Sequence, residues 1–228
     1  MKFGKENMLL YAVTDRAWVG KMTLLEQVEA ALQNGVTCVQ LREKQLDVDA
    51  FQKEAMEIGR LCRRYGVPFL INDNLDIAIA CHADGVHVGQ SDMAVREVRR
   101  RVGSSMIVGA SAHSVAEARE AEESGADYLG IGAVFSTTTK TNVTAMPYET
   151  LKSICAAVSI PKVAIGGISQ ENLMALSGSG VDGVAVVSAI FGAPDPGAAA
   201  ARLRALAETM VKTRMSLRGA QRRGNPFS

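Results

Sequence analysis

Three cations, two carboxylates and a pair of glycines stand where apolar runs of the chain end. Gln40, Arg42 and Lys44 close the run 36–41, and Asn72 and Asp73 close 68–71. Gln90 and Asp92 follow 86–88, and Ser111 and His113 follow 106–108. Thr137, Thr139 and Lys140 come after 128–131, Gly166 and Gly167 after 162–165, and Ser188 after 184–187. Arginine and lysine bind phosphate oxygens by charge-assisted hydrogen bonds. Carboxylates repel phosphate, yet both are hard oxygen ligands and share a site when Mg2+ lies between them. A diphosphate–Mg2+ complex therefore accounts for Arg42, Lys44, Lys140, Asp73 and Asp92 together.

Gly166-Gly167 ahead of an expected helix start exposes backbone N–H groups, and Val187-Ser188-Ala189 repeats the idea one strand later. Phosphate is commonly held between such loops. The two pockets suit two phosphorylated substrates joined with loss of diphosphate, a reaction needing leaving-group stabilisation more than a strong nucleophile.

Each residue also has a plainer account. Arg42 and Lys44 can be solvated strand-end charges. Asp73, within Asn72-Asp73-Asn74, can serve a turn, and Asp92 can cap a helix. The two glycines can be a tight turn. His87, inside an apolar run, reads as packed or structural rather than catalytic. His113 is divided between site and loop, and His82 suits a helix end. Trp18 either covers the site mouth or anchors a surface.

Eight elements must position these groups. Short apolar runs at 9–13, 36–41, 68–71, 86–88, 106–108, 128–131, 162–165 and 184–187 read as strands. Helical stripes lie between many of them: Leu24, Val28 and Leu32; Phe51, Ala55, Ile58 and Cys62; Val115, Ala118 and Ala121; Leu151, Ile154 and Val158; and finally Leu203, Leu206 and Met210. Ser114 and Ser169 are cap candidates, and Asn34-Gly35, Ser124-Gly125 and Ser179-Gly180 are stop signals. Alternation of this kind gives a parallel sheet, and eight units close into a single-domain (β/α)8 TIM barrel whose strand C-termini share one face. The rival, an open doubly wound sheet, lacks its GxGxxG after the first strand. The expected barrel spans 1–210, with 211–228 a frayed or disordered tail.

That tail holds Lys212, Arg214, Arg218, Arg222 and Arg223 and no acid. The whole chain is only +1, so the rest is net acidic and gives no ground for nucleic-acid binding. Aromatic residues at 5% argue against a base-stacking platform. No apolar stretch is long enough to span a membrane. Cys38, Cys62, Cys81 and Cys155 form no CxxC pair, and no secretory signal is evident, so reduced thiols and a cytoplasmic location are expected.

Gln40-Leu41-Arg42-Glu43-Lys44, Asn72-Asp73, His87-Val88-Gly89-Gln90-Ser91-Asp92, Gly109-Ala110-Ser111-Ala112-His113-Ser114, Thr137-Thr138-Thr139-Lys140 and Gly166-Gly167-Ile168 follow one another in an order and spacing that resembles the thiamine phosphate synthase (thiamine-phosphate pyrophosphorylase) family. The resemblance runs from Tyr11-Ala12-Val13-Thr14-Asp15 to Val187-Ser188-Ala189-Ile190. It implies condensation of 4-amino-2-methyl-5-hydroxymethylpyrimidine diphosphate with 4-methyl-5-(2-phosphoethyl)thiazole to thiamine phosphate, with Mg2+ as cofactor. It maps diphosphate contacts onto Gln40, Arg42, Lys44, Asn72 and Lys140. Asp73 and Asp92 become Mg2+ ligands, and Ser111 lies near pyrimidine and diphosphate. Thr137, Thr139, Gly167 and Ser188 hold the thiazole phosphate, with Gly166, Val187 and Ala189 beside them. Arg42, Lys44, Ser111 and Lys140 are then the catalytic groups of a dissociative substitution. A small homo-oligomer is compatible with it. Ser136, Asn142 and Ala164 depart from the proline, aspartate and glycine that many members carry there. The alternatives are a paralogous thiazole phosphate tautomerase, with His113 as its acid or base, and a non-catalytic phosphate-ligand sensor.

Overall fold

The computed structural model describes residues 3–136 and 145–223, with side chains through 213. Eight parallel strands pair in chain order, and β8 returns to β1 to close the barrel. They are β1 (Leu10–Val13), β2 (Cys38–Leu41), β3 (Phe69–Asn72), β4 (Gly85–Val88), β5 (Ile107–Ala112), β6 (Tyr128–Gly132), β7 (Lys162–Ile165) and β8 (Gly183–Val186). The expected (β/α)8 barrel is the fold found.

The helical stripes become α1 (Leu24–Gln33), α2 (Val48–Tyr65), α5 (Val115–Glu123), α6 (Tyr148–Ala157) and α8 (Pro196–Arg223), while α3 (Leu75–Ala80), α4 (Val95–Val102) and α7 (Ser188–Phe191) fill the other gaps. Thr23 starts α1 with a capping box to Glu26, and Ser114 caps α5 by accepting from the Glu117 N–H. Gly66 ends α2 in the left-handed region, at φ 66°. After β7 the expected helix shrinks to a 3-10 turn, Leu173–Leu176, because Gly178 and Gly180 break the chain soon afterwards. α8 continues through Arg223 although its apolar stripe ends near Met210. Leu, Met, Arg, Ala and Gln sustain a helix by propensity without an apolar face.

Two apolar layers hold the barrel. One lies between strands and helices and includes Leu41, Phe69, Ile71, Leu129, Ile131, Leu151 and Leu203. The other fills the barrel interior with Met8, Tyr11, Val13, Cys38, Leu70, Tyr128, Val163 and Ala185. Complete burial of each large apolar side chain contributes about 1.5–3 kcal/mol. Ala164 belongs to the first layer and is fully buried, so its departure from the family's glycine lies in the core rather than on the cavity. The interior layer closes the lower barrel and leaves the upper end as a floor for polar groups. No helix among the described residues is long and apolar enough to cross a membrane.

Candidate active site

The polar cluster after β2 divides into two roles. Glu43 turns inward and is buried. Its Oε1 accepts from the N–H groups of Lys44 and Gln45 at 2.7 Å and Leu46 at 3.3 Å, while Oε2 accepts from Arg16 Nε at 2.7 Å. Burial pushes its pKa up, but these donors outweigh burial and leave it lowered. Arg42 and Lys44, on either side, are left to face the cavity. Thr14 accepts from the Arg42 N–H at 3.0 Å, and Asp15 pairs with the Arg42 guanidinium at 3.2 Å.

Asn74, not Asp73, caps α3, accepting from the Ile77 N–H at 2.9 Å. Asp73 is thereby free to reach Lys44 Nζ at 2.6 Å from a left-handed backbone, φ 62°. A non-glycine residue held there is a conformational cost that tends to accompany function. Asp92 does not cap α4 either: Ala94 holds that position, and Asp92 Oδ2 accepts from the Gly89 N–H at 2.7 Å. The two carboxyls influence each other's ionisation. Burial raises Asp73, but Lys44 and Asp92 overcome it and its pKa is lowered. Asp92 is raised, by burial first and then by Asp73. Within the pair, charge is therefore favoured on Asp73 over Asp92. A divalent cation between them would relieve the repulsion. No group of three or more His, Cys, Asp or Glu gathers as a metal cage among the described residues. Two carboxylates open to solvent fit Mg2+, which retains waters and takes substrate phosphate oxygens.

β5 extends to Ala112, so Ser111 is a strand residue rather than a loop one. Its Oγ lies 3.0 Å from His87 Nε2, and its carbonyl accepts from Gln90 Nε2 at 2.6 Å. His87 Nδ1 lies 2.8 Å from the Tyr128 hydroxyl, which is 2.8 Å from that of Tyr11. Gln40 Nε2 donates to Tyr11 at 2.8 Å. The reading of His87 as packed or structural did not name these partners: it is partly buried, hydrogen-bonded and lines the cavity. The period-two alternation of β1, β4 and β6 was the available signal for placing Tyr11, His87 and Tyr128 inside. Their mutual contact carried no such signal. His113 reaches the cavity rim and is held by Glu117 Oε2 at 2.9 Å.

Across the mouth, Gly166 and Gly167 adopt φ 102° and 64°. A Cβ on Gly166 would strike Ala133, and one on Gly167 would strike the Ser136 carbonyl oxygen. The departure at Ser136 thus lies against this turn. Val187 and Ser188 complete that wall, whereas Ala189 packs against the core and does not line the cavity. Trp18 stays exposed at 43% and is not among the residues lining the cavity; a Cβ on Gly192 would lie 3.1 Å from its ring.

One cavity of about 460 Å³ brings together Gln40, Arg42, Lys44, Asn72, Asp73, Asp92, Ser111, Gly166, Gly167, Val187 and Ser188. Thr137, Thr139, Lys140 and Asn142 lie outside the described residues. Cations and carboxylates occupy one wall and glycine backbone the other, with the polar floor between.

Comparison with known proteins places this geometry. The family profile described as thiamine monophosphate synthase matches residues 10–190. The thiamine-phosphate synthase of Clostridium acetobutylicum is 46% identical over 184 residues, covering 81% of this chain and 87% of that protein. That of Ruminiclostridium cellulolyticum is 48% identical over 199 residues, covering 87% and 95%. The solved thiamine phosphate pyrophosphorylase from Pyrococcus furiosus superimposes with a TM-score of 0.84 at 37% identity, covering 91% of this chain and 98% of that one. A 3-hexulose-6-phosphate synthase, at TM-score 0.63 and 18% identity, covers 87% of this chain and 99% of its own and shares the fold alone. Matched along nearly the whole barrel, the chain belongs to the thiamine monophosphate synthase family.

Proposed function

We propose that this chain condenses 4-amino-2-methyl-5-hydroxymethylpyrimidine diphosphate with 4-methyl-5-(2-phosphoethyl)thiazole, plain or carboxylated, to give thiamine phosphate and diphosphate. The observation that carries this reading is the division of a single cavity. Arg42, Lys44, Asn72, Asp73 and Asp92 stand on one side, and the Gly166-Gly167 turn with Ser188 on the other. A leaving diphosphate and a retained monophosphate thus have separate seats within one substrate-sized space.

Arg42 and Lys44 bind diphosphate oxygens and stabilise the charge that grows as the carbon–oxygen bond breaks. Asp73 and Asp92 would hold Mg2+, which when bound neutralises the diphosphate. Ser111 orients the pyrimidine, whose amino group delocalises positive charge at the methylene carbon, and Gln40 joins the diphosphate contacts. The glycine turn and Ser188 hold the thiazole so that its nitrogen is aimed at that carbon. No enzyme nucleophile is needed. Lys140 is assigned to the same diphosphate by the family pattern. Buried Cys38, Cys62 and Cys81, free of any disulfide, support a reducing, cytoplasmic setting.

The test is diphosphate release and thiamine phosphate formation by the purified chain with both substrates, with and without Mg2+. Equimolar products abolished by EDTA are expected. Folded protein that binds both phosphates without product would leave the sensor. Conversion of an isolated thiazole phosphate isomer without diphosphate chemistry would leave the tautomerase.

A further inference from the structure

Tyr11, Tyr128 and His87 are linked in series below the cavity, between Gln40 and Ser111. The space for this series is cleared by two glycines. A Cβ at Gly109 would collide with the Tyr128 ring, and one at Gly130 would lie 3.2 Å from His87 Cε1. Phe3 closes the underside, its ring 5.5 Å from that of Tyr128. Burial pushes both tyrosine hydroxyls well above the usual range, so each keeps one proton to donate.

The direction of donation follows from counting protons. Gln40 donates to the Tyr11 oxygen, so Tyr11 has its own proton to pass on. Its partners are the Tyr128 oxygen at 2.8 Å and the Cys38 sulfur, which is a weak acceptor. Tyr11 therefore donates to Tyr128, and Tyr128 donates to His87 Nδ1. A neutral imidazole accepting at Nδ1 carries its proton on Nε2. Nε2–H donates to Ser111 Oγ, and the Ser111 proton is left for the cavity. The opposite direction would leave Tyr11 donating to sulfur alone.

We propose that Tyr128 is a positioning residue, closing a one-way hydrogen-bond chain from Gln40 to Ser111 that holds His87 with its proton on Nε2 and turns the Ser111 hydroxyl into a donor toward the pyrimidine substrate. The identity of the substrate rests on the synthase reading; the tautomer does not. A donating Ser111 matches a ring nitrogen of the aminopyrimidine, which accepts.

Nitrogen-15 NMR of the ligand-free protein tests the chain directly, above the ordinary histidine titration range. The His82→Gln, His113→Gln double variant leaves His87 as the sole histidine signal. The expected pattern is a protonated Nε2 and an unprotonated Nδ1. A protonated Nδ1 overturns the proposal. Tyr128→Phe, keeping the ring and removing the hydroxyl, is expected to mix the two tautomers. It is also expected to raise KM for the pyrimidine diphosphate about ten-fold, with KM for the thiazole phosphate unchanged. Equal KM changes for both substrates, or none, overturn the positioning role even where the tautomer is as stated. If the chain makes no thiamine phosphate at all, the synthase reading fails while the tautomer is still read. If Tyr128→Phe does not fold, the unsubstituted-Tyr128 spectrum still decides the direction of the chain.

Discussion

Lys44 Nζ lies 2.6 Å from Asp73 Oδ2, locking a cation that follows β2 to a carboxylate at the end of β3. Asp92 stands beside this pair, its carboxyl raised by burial first and then by Asp73. Lys44 and Asp73 thus neutralise each other in the ligand-free site. In the proposed reaction substrate and cation exchange these partners, with Lys44 moving to phosphate oxygen and the carboxylates to the cation.

Asp92→Asn isolates the charge, because the amide oxygen can still accept the Gly89 N–H that Asp92 now accepts at 2.7 Å. Diphosphate release is expected to fall at least about 100-fold and to stay low throughout a Mg2+ titration, with Tm close to the parent value. Undiminished turnover across that titration would remove Asp92 from the metal site.

Glu43→Gln removes the charge that gathers three loop N–H groups and Arg16. The carboxylate side chain is only 2% exposed, so solvent does little to replace the lost interactions. The expected cost is about 1.5–3 kcal/mol of stability, measured by urea unfolding. KM for the diphosphate substrate should rise too, since Arg42 and Lys44 flank the loosened turn. A normal midpoint with a normal KM would contradict the anchoring role.

Gly167→Ala places a methyl group against the Ser136 carbonyl oxygen and Phe135 at φ 64°. The loop must shift, so KM for the thiazole phosphate should rise at least about ten-fold while that for the diphosphate substrate changes little. Titration of each substrate at saturating partner separates the two. A loss confined to the diphosphate side would exchange the pocket assignments.

Alkaline pH should destabilise the fold through protons that only the folded chain retains. Burial pushes Cys62 up to about 12 and raises Cys38, Tyr11 and Tyr128 well above their ordinary values. The unfolded chain releases these protons near pH ~8.5 for thiols and ~10 for phenols. Their contribution is therefore full below about pH 8.5 and declines as pH rises toward the folded values. Melting temperature should fall along that limb, and Tyr128→Phe should make it shallower above about pH 10. A limb of the same slope in that variant would assign the effect to other groups.

The sequence by itself determined the barrel and much of the site's inventory. Eight apolar runs broken by turn residues and spaced by helical stripes close in only one economical way, and polar residues at the run ends then share a rim. Local chemistry sufficed because strand alternation and helix periodicity are carried by neighbours in the chain. Residues of one type at one strand end were not separable that way. Glu43 lies between Arg42 and Lys44, yet it turns in to bind loop N–H groups while they face the cavity. Asp73 and Asn74 are adjacent, yet Asn74 caps α3 and Asp73 meets Lys44. His87 looked packed because its partners, Tyr128 and Ser111, stand 41 and 24 residues away. Which side chain a hydrogen bond selects depends on atoms brought together from different strands. Only closure of the barrel supplies those atoms, and with them the direction in which each proton points.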